Sequence, residues 1–339
     1  MNAQKLSVGF LIFPDFPMAC LTSMIEPLRA ANEIAGQDAF HWTIVSEDGG
    51  KITSSAKVSF EPDCALNTLP EIDILFLLSS PSSRFENPKS GNGILSKKVR
   101  HGMSIGGISG GVFPLVRSGL MHNHPVSVHW CYEAAFREEF QDVSAEDDVI
   151  VTGQNRYTAA GAAAAFDLAL QFIDDRLGGK IAHEVACWFQ HPLMRGAGVR
   201  QRVPIEQNPQ NGDSLPDVIV ECVKIFAERM DDPVSIVELS ERIGLSARQL
   251  GRLFKQATNQ SPTQFYRDIR MKYARQLVVY SQMSLTEVAA AVGYGTSTSL
   301  GIHYKEAFGL SPKEDRSRIN RFRVKDNAPV PTMQDHFTI

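Results

Sequence analysis

The chain has 339 residues, 43% of them apolar and 21% charged, with 34 basic against 38 acidic side chains and a formal charge of −4. That composition excludes a collagenous, disulfide-scaffold or largely disordered protein, and the length suffices for two domains that each bury a core. The longest apolar runs, Leu6 to Phe13 and Ala159 to Ile173, are shorter than the ~20 residues a bilayer requires, and Asp167 interrupts the second, so no membrane span is expected. The N-terminus carries no charged leader with an apolar h-region, and the five cysteines are widely spaced without a C-x-x-C pair. The reading is a cytoplasmic protein with reduced thiols and neither a metal site nor a cofactor.

In chain order, strand-like runs Ser7 to Phe13, Trp42 to Val45, Ile72 to Leu78 and Met103 to Ile108 alternate with helical stretches Thr22 to Ala35, Gly93 to His101 and Gly111 to Ser118. Continuous apolar strands separated by helices predict an α/β sheet covered on both faces. The small residues Gly106 to Gly111 follow a strand and open a helix, which permits a sharp turn that exposes Ser109. The pattern fits G-x-S-x-G, so a serine hydrolase or amidase with His129 as its base is one reading. Such an enzyme would want an acid and then a late histidine, and His129 also reads as a structural residue. Gly196 to Pro216, rich in Gly, Pro, Asn and Gln, reads as a linker.

Charge divides the chain at this linker. Residues 1–215 carry a net −7, residues 216–325 a net +5 and the tail from 326 a net −2; within 244–325 there are 14 basic and 5 acidic residues. Such a local excess binds a polyanion by counterion release while the remainder repels it. The basic half also contains an internal repeat. Glu238 and Gly244 recur 49 residues on as Glu287 and Gly293, and Leu250, Phe254, Lys255, Ser261 and Pro262 recur 50 on as Leu300, Tyr304, Lys305, Ser311 and Pro312.

Each copy reads helix, glycine turn, helix. Ile236, Leu239 and Ile243 form an apolar stripe before Gly244, and Ser246 is a fitting N-cap for a helix from Ala247 to Ala257. In the second copy Thr296 or Ser297 precedes a helix from Thr298 to Phe308. With Leu250, Leu253 and Phe254 facing inward, Arg248, Gln249 and Arg252 face outward, where a recognition helix meets base edges. A long helix from Thr263 to Tyr280 would hold the two units about one DNA turn apart.

From Asp217 to Arg316 the chain resembles the AraC/XylS family of bacterial transcription regulators, on the segments Ser261 to Phe265 (S-P-x-x-F), Arg270 to Ala274 (R-x-x-x-A) and Val292 to Pro312 (V-G-Y-G…F-G-L-S-P). The resemblance implies double-stranded promoter DNA as a partner, with RNA polymerase as a further one, and DNA contacts from Arg248, Gln249, Arg252, Ser297, Thr298 and Lys305. Three residues depart from the family pattern: Ile302 where Arg is common, Gly251 where a polar residue is frequent, and Asp315 where an aromatic precedes the closing Arg316. Base-specific contacts are therefore expected mainly from the first unit.

The N-terminal half, roughly residues 5–195, looks like the glutamine-amidotransferase-like, PfpI-type domain that precedes an AraC-type module in the GlxA family. The resemblance lies in Phe13 to Phe16 (F-P-x-F), Glu26 to Asn32 (E-P-L-R-A-A-N), the elbow, Arg117 to Leu120 (R-S-G-L), Val128 to Trp130 (V-H-W), and Tyr157 to Phe172 with its G-A-A-A-A-F-D. It implies a class I glutamine-amidotransferase-like, flavodoxin-like sandwich. Enzymes of that superfamily carry Cys at the elbow; Ser109 stands there instead, and a serine without a general base is a poor nucleophile, so catalysis is expected to be lost. A ligand pocket would remain. Its floor would be the amides of Ser109 and Gly110 at a helix N-terminus, with Glu26 pointing in and Trp130, Phe16 and Phe113 as an aromatic wall for a quaternary ammonium. Arg84 is a further candidate for a ligand carboxylate.

The resemblance thus implies a ligand-responsive transcription regulator, a dimer that senses a small nitrogenous metabolite such as betaine, carnitine or an amino acid and works on the nucleoid. The expected organisation is a sensing domain over 1–195, a linker over 196–216, a DNA-binding domain over 217–325 and a disordered tail over 326–339.

Overall fold

The computed structural model describes residues 5–191, 195, 196, 198–201 and 216–317, in two compact units spanning Met1–Gln201 and Arg202–Ile339. The first unit begins with β1 (Leu6–Ile12), α1 (Met18–Ala35) and β2 (Phe40–Ser46). Short strands β3 (Ile52–Thr53), β4 (Ser59–Phe60) and β5 (Cys64–Ala65) lead to β6 (Ile74–Ser79), α2 (Pro88–Arg100), β7 (Ser104–Ser109) and α3 (Val112–Arg117). After β8 (Val126–Ser127), α4 (Glu133–Glu139) and β9 (Ala145–Glu146) come β10 (Ile150–Gly153), β11 (Arg156–Ala159), α5 (Ala162–Leu177) and α6 (Gly179–Trp188).

Seven strands form one sheet in the order β10-β11-β7-β6-β1-β2-β5, parallel except for the antiparallel edge pair β10 and β11. Every residue of β6 is buried, as expected of a parallel strand covered on both faces. Val8, Phe10 and Ile12 alternate along β1 into a core shared with α1, α5 and α6, in which Phe76 lies against Phe10, Tyr157 and Phe172. This is the flavodoxin-like α/β sandwich expected from the apolar runs.

Some boundaries differ, for local reasons. Helix α1 starts at Met18 because Pro17 takes an extended conformation and releases the chain into a helix, and Gly36, with φ 61, ends it. Helix α2 starts at Pro88, since Asn87 accepts from Ser90 N at 3.2 Å and a first-position proline suits a helix. The expected linker begins too early. Val149 N donates to Val199 O at 2.7 Å and Gln201 N to Asp147 O at 2.8 Å, so residues 198–201 pair with the first unit. Most of the remaining linker, and the tail over 326–339, lie outside the described residues.

The second unit is helical: α7 (Asp217–Glu228), α8 (Ile236–Ile243), α9 (Ala247–Thr258), α10 (Pro262–Tyr280), α11 (Leu285–Ala291), α12 (Ser297–Phe308) and α13 (Pro312–Arg316). Each helix from α8 to α13 starts at a Ser or Thr whose hydroxyl accepts a backbone amide of the first turn. The repeat is therefore structural. Gly244 and Gly293 take φ 74 and 67 in the two turns, and a Cβ on Gly293 would lie 2.5 Å from the Pro233 ring. Among the described residues no helix is long and apolar enough to cross a membrane.

Candidate ligand site and nucleic-acid interface

Ser109 ends β7 in the left-handed region with φ 56, 1% exposed, and its hydroxyl has no hydrogen-bond partner among the described residues. The glycines around it are sterically required: a Cβ on Gly110 would lie 2.3 Å from Ser79 O, and one on Gly111 1.8 Å from Leu77 O. The turn is thus pressed onto the end of β6, at the carboxyl edge of the sheet, where ligands of such folds bind. The Gly111 amide donates to Ile108 O at 3.0 Å and the Phe113 amide to Gly110 O at 3.1 Å, which closes the turn. Helix α3 has only six residues, so the expected helix N-terminus adds little field beyond the local amides.

The predicted pocket residues do not all converge. Glu26 is half-exposed and its carboxylate receives Arg29 Nε at 3.0 Å, so it pairs along its own helix instead of bonding Ser109. Phe16 is fully buried, edge-on to Phe60 at 5.2 Å, and Phe113 is fully buried against Phe136 and Phe140. Both are core residues and offer no open wall, because each sits on the inward side of a helix or turn that the sheet needs covered. Arg84 is engaged too, 3.6 Å from Glu139.

Trp130 is partly exposed, its ring 5.3 Å from that of His129 and its amide donating to Gln201 Oε1 at 3.1 Å. His129 accepts at Nδ1 from the Cys131 amide at 3.2 Å, and burial pushes its imidazole down to about 4. It lies beside Gly161, where a Cβ would sit 3.2 Å from its Cδ2. With Ser109 Oγ unbonded, His129 does not form the hydroxyl–imidazole pair that a serine nucleophile requires.

Two further residues shape this end of the sheet. Arg117 donates to both Glu139 oxygens, at 2.6 and 2.7 Å, to Ser83 O at 2.8 Å and to Pro81 O at 3.0 Å, fastening the Ser/Pro loop that follows β6. Asp167, fully buried in α5, accepts from His191 Nε2 and Arg195 Nε, each at 2.7 Å, and so ties down the chain beyond α6. Sequence reasoning places Arg117 only inside a motif, and Asp167 only as the end of the G-A-A-A-A-F-D motif and an interruption of an apolar run. An acid in the middle of such a run was the available signal, because a buried carboxylate demands a partner.

In the second unit Leu250 and Phe254 of α9 are fully buried, which turns Arg248 and Arg252 to solvent, one helical turn apart. Gln249 is exposed, but its Oε1 accepts from Ser246 N at 2.9 Å and Ser246 Oγ at 2.7 Å. It closes a capping box, leaving only its amide NH2 for DNA. In α12 Thr298 and Lys305 are exposed and Ser297 partly so, while Thr296 is the N-cap.

The two helix-turn-helix units are braced by Arg270 of α10. Its Nε donates to Val292 O at 2.7 Å and its Nη2 to Gly293 O at 2.9 Å, and its guanidinium lies 4.5 Å from the centre of the Tyr294 ring. Asp315, expected to change the packing of the last turn, accepts from Arg275 Nε at 2.8 Å and from the Tyr304 hydroxyl at 2.9 Å, fully buried. It anchors α13 to α10 and α12 by an ion pair in place of an aromatic contact.

Fold and interface together define a bacterial DNA-binding transcription regulator of the AraC type, carrying an N-terminal domain of the DJ-1/PfpI kind. Residues 8–175 match the DJ-1/PfpI family model and residues 239–318 a helix-turn-helix domain model. The chain is 30% identical over 312 residues to the HTH-type transcriptional regulator CdhR of Pseudomonas aeruginosa, covering 91% of this chain and 90% of that one. It is 29% identical over 315 residues to the regulator GbdR of the same species (93% and 85% covered), and 28% identical over 320 residues to the regulator GlxA of Rhizobium meliloti (94% and 97%). The chain belongs to this GlxA-type family of transcription regulators.

Proposed function

We propose that the first unit is the receptor for a small nitrogenous metabolite of the betaine, carnitine or amino-acid kind, and that its occupancy governs promoter binding by the second unit without turnover of the ligand. The observation that carries this reading is Ser109. Its hydroxyl is buried at a strained elbow and touches neither a base nor an acid among the described residues, so the geometry of a nucleophile survives without its activation. A buried hydroxyl gains about 1 kcal/mol from a partner, which favours a ligand carboxylate or carbonyl oxygen there. Trp130 remains the open aromatic for an ammonium, and such a group would compete with Arg29 for Glu26.

On the DNA side Arg248 and Arg252 supply the sequence-specific contacts, with secondary contributions from Gln249, Ser297, Thr298 and Lys305. A homodimer in the cytoplasm, resident on the nucleoid and in touch with RNA polymerase, belongs to the same reading, as does the division into a sensing domain, extended from residue 195 to 201, and a DNA-binding domain from 217. The test is a thermal-shift screen of the purified protein against methylated amines and amino acids, where ligand at 100 times its dissociation constant adds about 2.7 kcal/mol. Mass spectrometry then follows the stabilising compound: unchanged recovery, with weaker binding by Ser109→Ala, supports the receptor. Repeated turnover that Ser109→Ala abolishes would make the protein an enzyme.

A further inference from the structure

The outward faces of the two recognition helices differ in kind. On α9 the exposed stripe at positions i, i+4, i+7 and i+8 is Arg248, Arg252, Lys255 and Gln256; the repeat carries it to Thr298, Ile302, Lys305 and Glu306 on α12, all exposed. Where the first helix presents Arg252, the second presents an isoleucine that is 65% exposed. That exposure is fixed by the fold. Leu300 and Tyr304, on the opposite side of α12, are fully buried, and the Tyr304 hydroxyl is held by Asp315, so the helix cannot roll to cover Ile302 without breaking its anchor.

Gly301 lies next to it. A glycine inside a helix costs about 0.5–1 kcal/mol relative to alanine. A Cβ there would meet nothing within 4 Å, so no contact inside this unit demands the glycine. The effect is open room beside Ile302 along the helix. Glu306, at the end of the stripe, faces His303 at 3.5 Å and cannot serve as a phosphate contact. The stripe on α12 is thus apolar and hydroxylic, and Lys305 is its only cation.

The major groove offers one apolar feature that a side chain can read, the C5-methyl group of thymine. We infer that Ile302 reads a thymine through that methyl group, so that the second helix-turn-helix unit selects sequence by apolar contact where the first uses guanidinium groups. The inference rests on the outward stripes facing DNA, as proposed above, and the open room at Gly301 lets the helix seat closely enough for a methyl–methyl contact.

The test uses the full chain and a duplex selected by repeated binding from a randomised pool. Each thymine on the side opposite the Arg252-dependent positions is replaced in turn by deoxyuridine, which lacks only the methyl group, and binding is measured for the wild type, Ile302→Ala and Arg252→Ala. The expected result is one position at which deoxyuridine weakens wild-type binding by about fourfold, the worth of one buried methyl-sized group. Ile302→Ala binds the thymine duplex correspondingly less well and is indifferent to that replacement, while Arg252→Ala still responds to it. Wild-type affinity for Ile302→Ala, or a loss that no deoxyuridine position reproduces, overturns the inference while leaving the DNA-facing assignment in place if Arg252→Ala is impaired. Unimpaired binding by both variants overturns the assignment itself. An exposed isoleucine that serves a protein partner would give the first of these outcomes.

Discussion

Arg270→Ala should uncouple the two helix-turn-helix units. The guanidinium makes two hydrogen bonds to the carbonyls that end α11 and stacks on Tyr294. A hydrogen bond from a charged group contributes about 1.5–3 kcal/mol and a cation–π contact about 1 kcal/mol; since such contributions do not add fully, the expected loss of stability is about 3 kcal/mol. Function should suffer selectively. Gly293, which Arg270 holds, also packs on Pro233 ahead of α8, so the brace fixes the second turn against the body of the first helix-turn-helix. The assay is fluorescence anisotropy on two duplexes, one with both half-sites and one with the second half-site scrambled, alongside urea denaturation. Arg270→Ala should lose about tenfold or more on the full site, the loss of one fixed unit, and little on the scrambled one. Arg270→Lys, which reaches one carbonyl, should recover part of the loss. Equal losses on both duplexes by a folded variant would refute the reasoning, as would full affinity.

Two other perturbations follow from buried groups. Asp315→Ala removes the carboxylate that accepts from Arg275, itself 4% exposed at the side chain, and should cost about 3–5 kcal/mol in a urea titration, because a buried cation loses its counter-charge; a cost below 1 kcal/mol would mean that the pair does not anchor α13. His129, held neutral down to about 4 against an ordinary 6.5, contributes nothing differential above pH 6.5. Between pH 6.5 and about 4 the unfolded chain takes up a proton that the folded chain refuses, so stability falls by about 1.4 kcal/mol per pH unit relative to His129→Gln. A wild-type-minus-variant difference that stays flat across that window would contradict the burial of the ring.

What the sequence made legible was what is periodic or local. The repeat, the capping hydroxyl at Ser246, the choice of Thr296 or Ser297 as the second cap, and the apolar strands around Phe10 and Phe76 follow from spacing alone, and these elements appear within a few residues of where that spacing puts them, with Thr296 as the cap. Side-chain destinations were less legible. A continuous apolar run does not say which aromatic faces a pocket, and Phe16 and Phe113 went to the core while Trp130 stayed partly open. Nor does local pattern announce pairs such as Asp167 with Arg195, 28 residues apart, or Arg275 with Asp315, 40 apart, which only the tertiary fold brings together. From spacing, Gln249 reads as a base contact because it faces outward from the apolar stripe. Its position three residues after Ser246 is also the signature of a capping box, and the backbone amide wins that carbonyl oxygen.

The central claim is that α9 reads bases and does not merely hold phosphates. Binding of wild type and Arg252→Ala to the selected duplex and to a random duplex, each over a series of salt concentrations, tests it most directly. The account predicts a loss of about 1–3 kcal/mol on the selected duplex, little change on the random one, and a similar dependence on salt for both proteins. Equal weakening on the two duplexes, with the salt slope reduced by about one, would show that Arg252 contacts a phosphate and that sequence is read elsewhere.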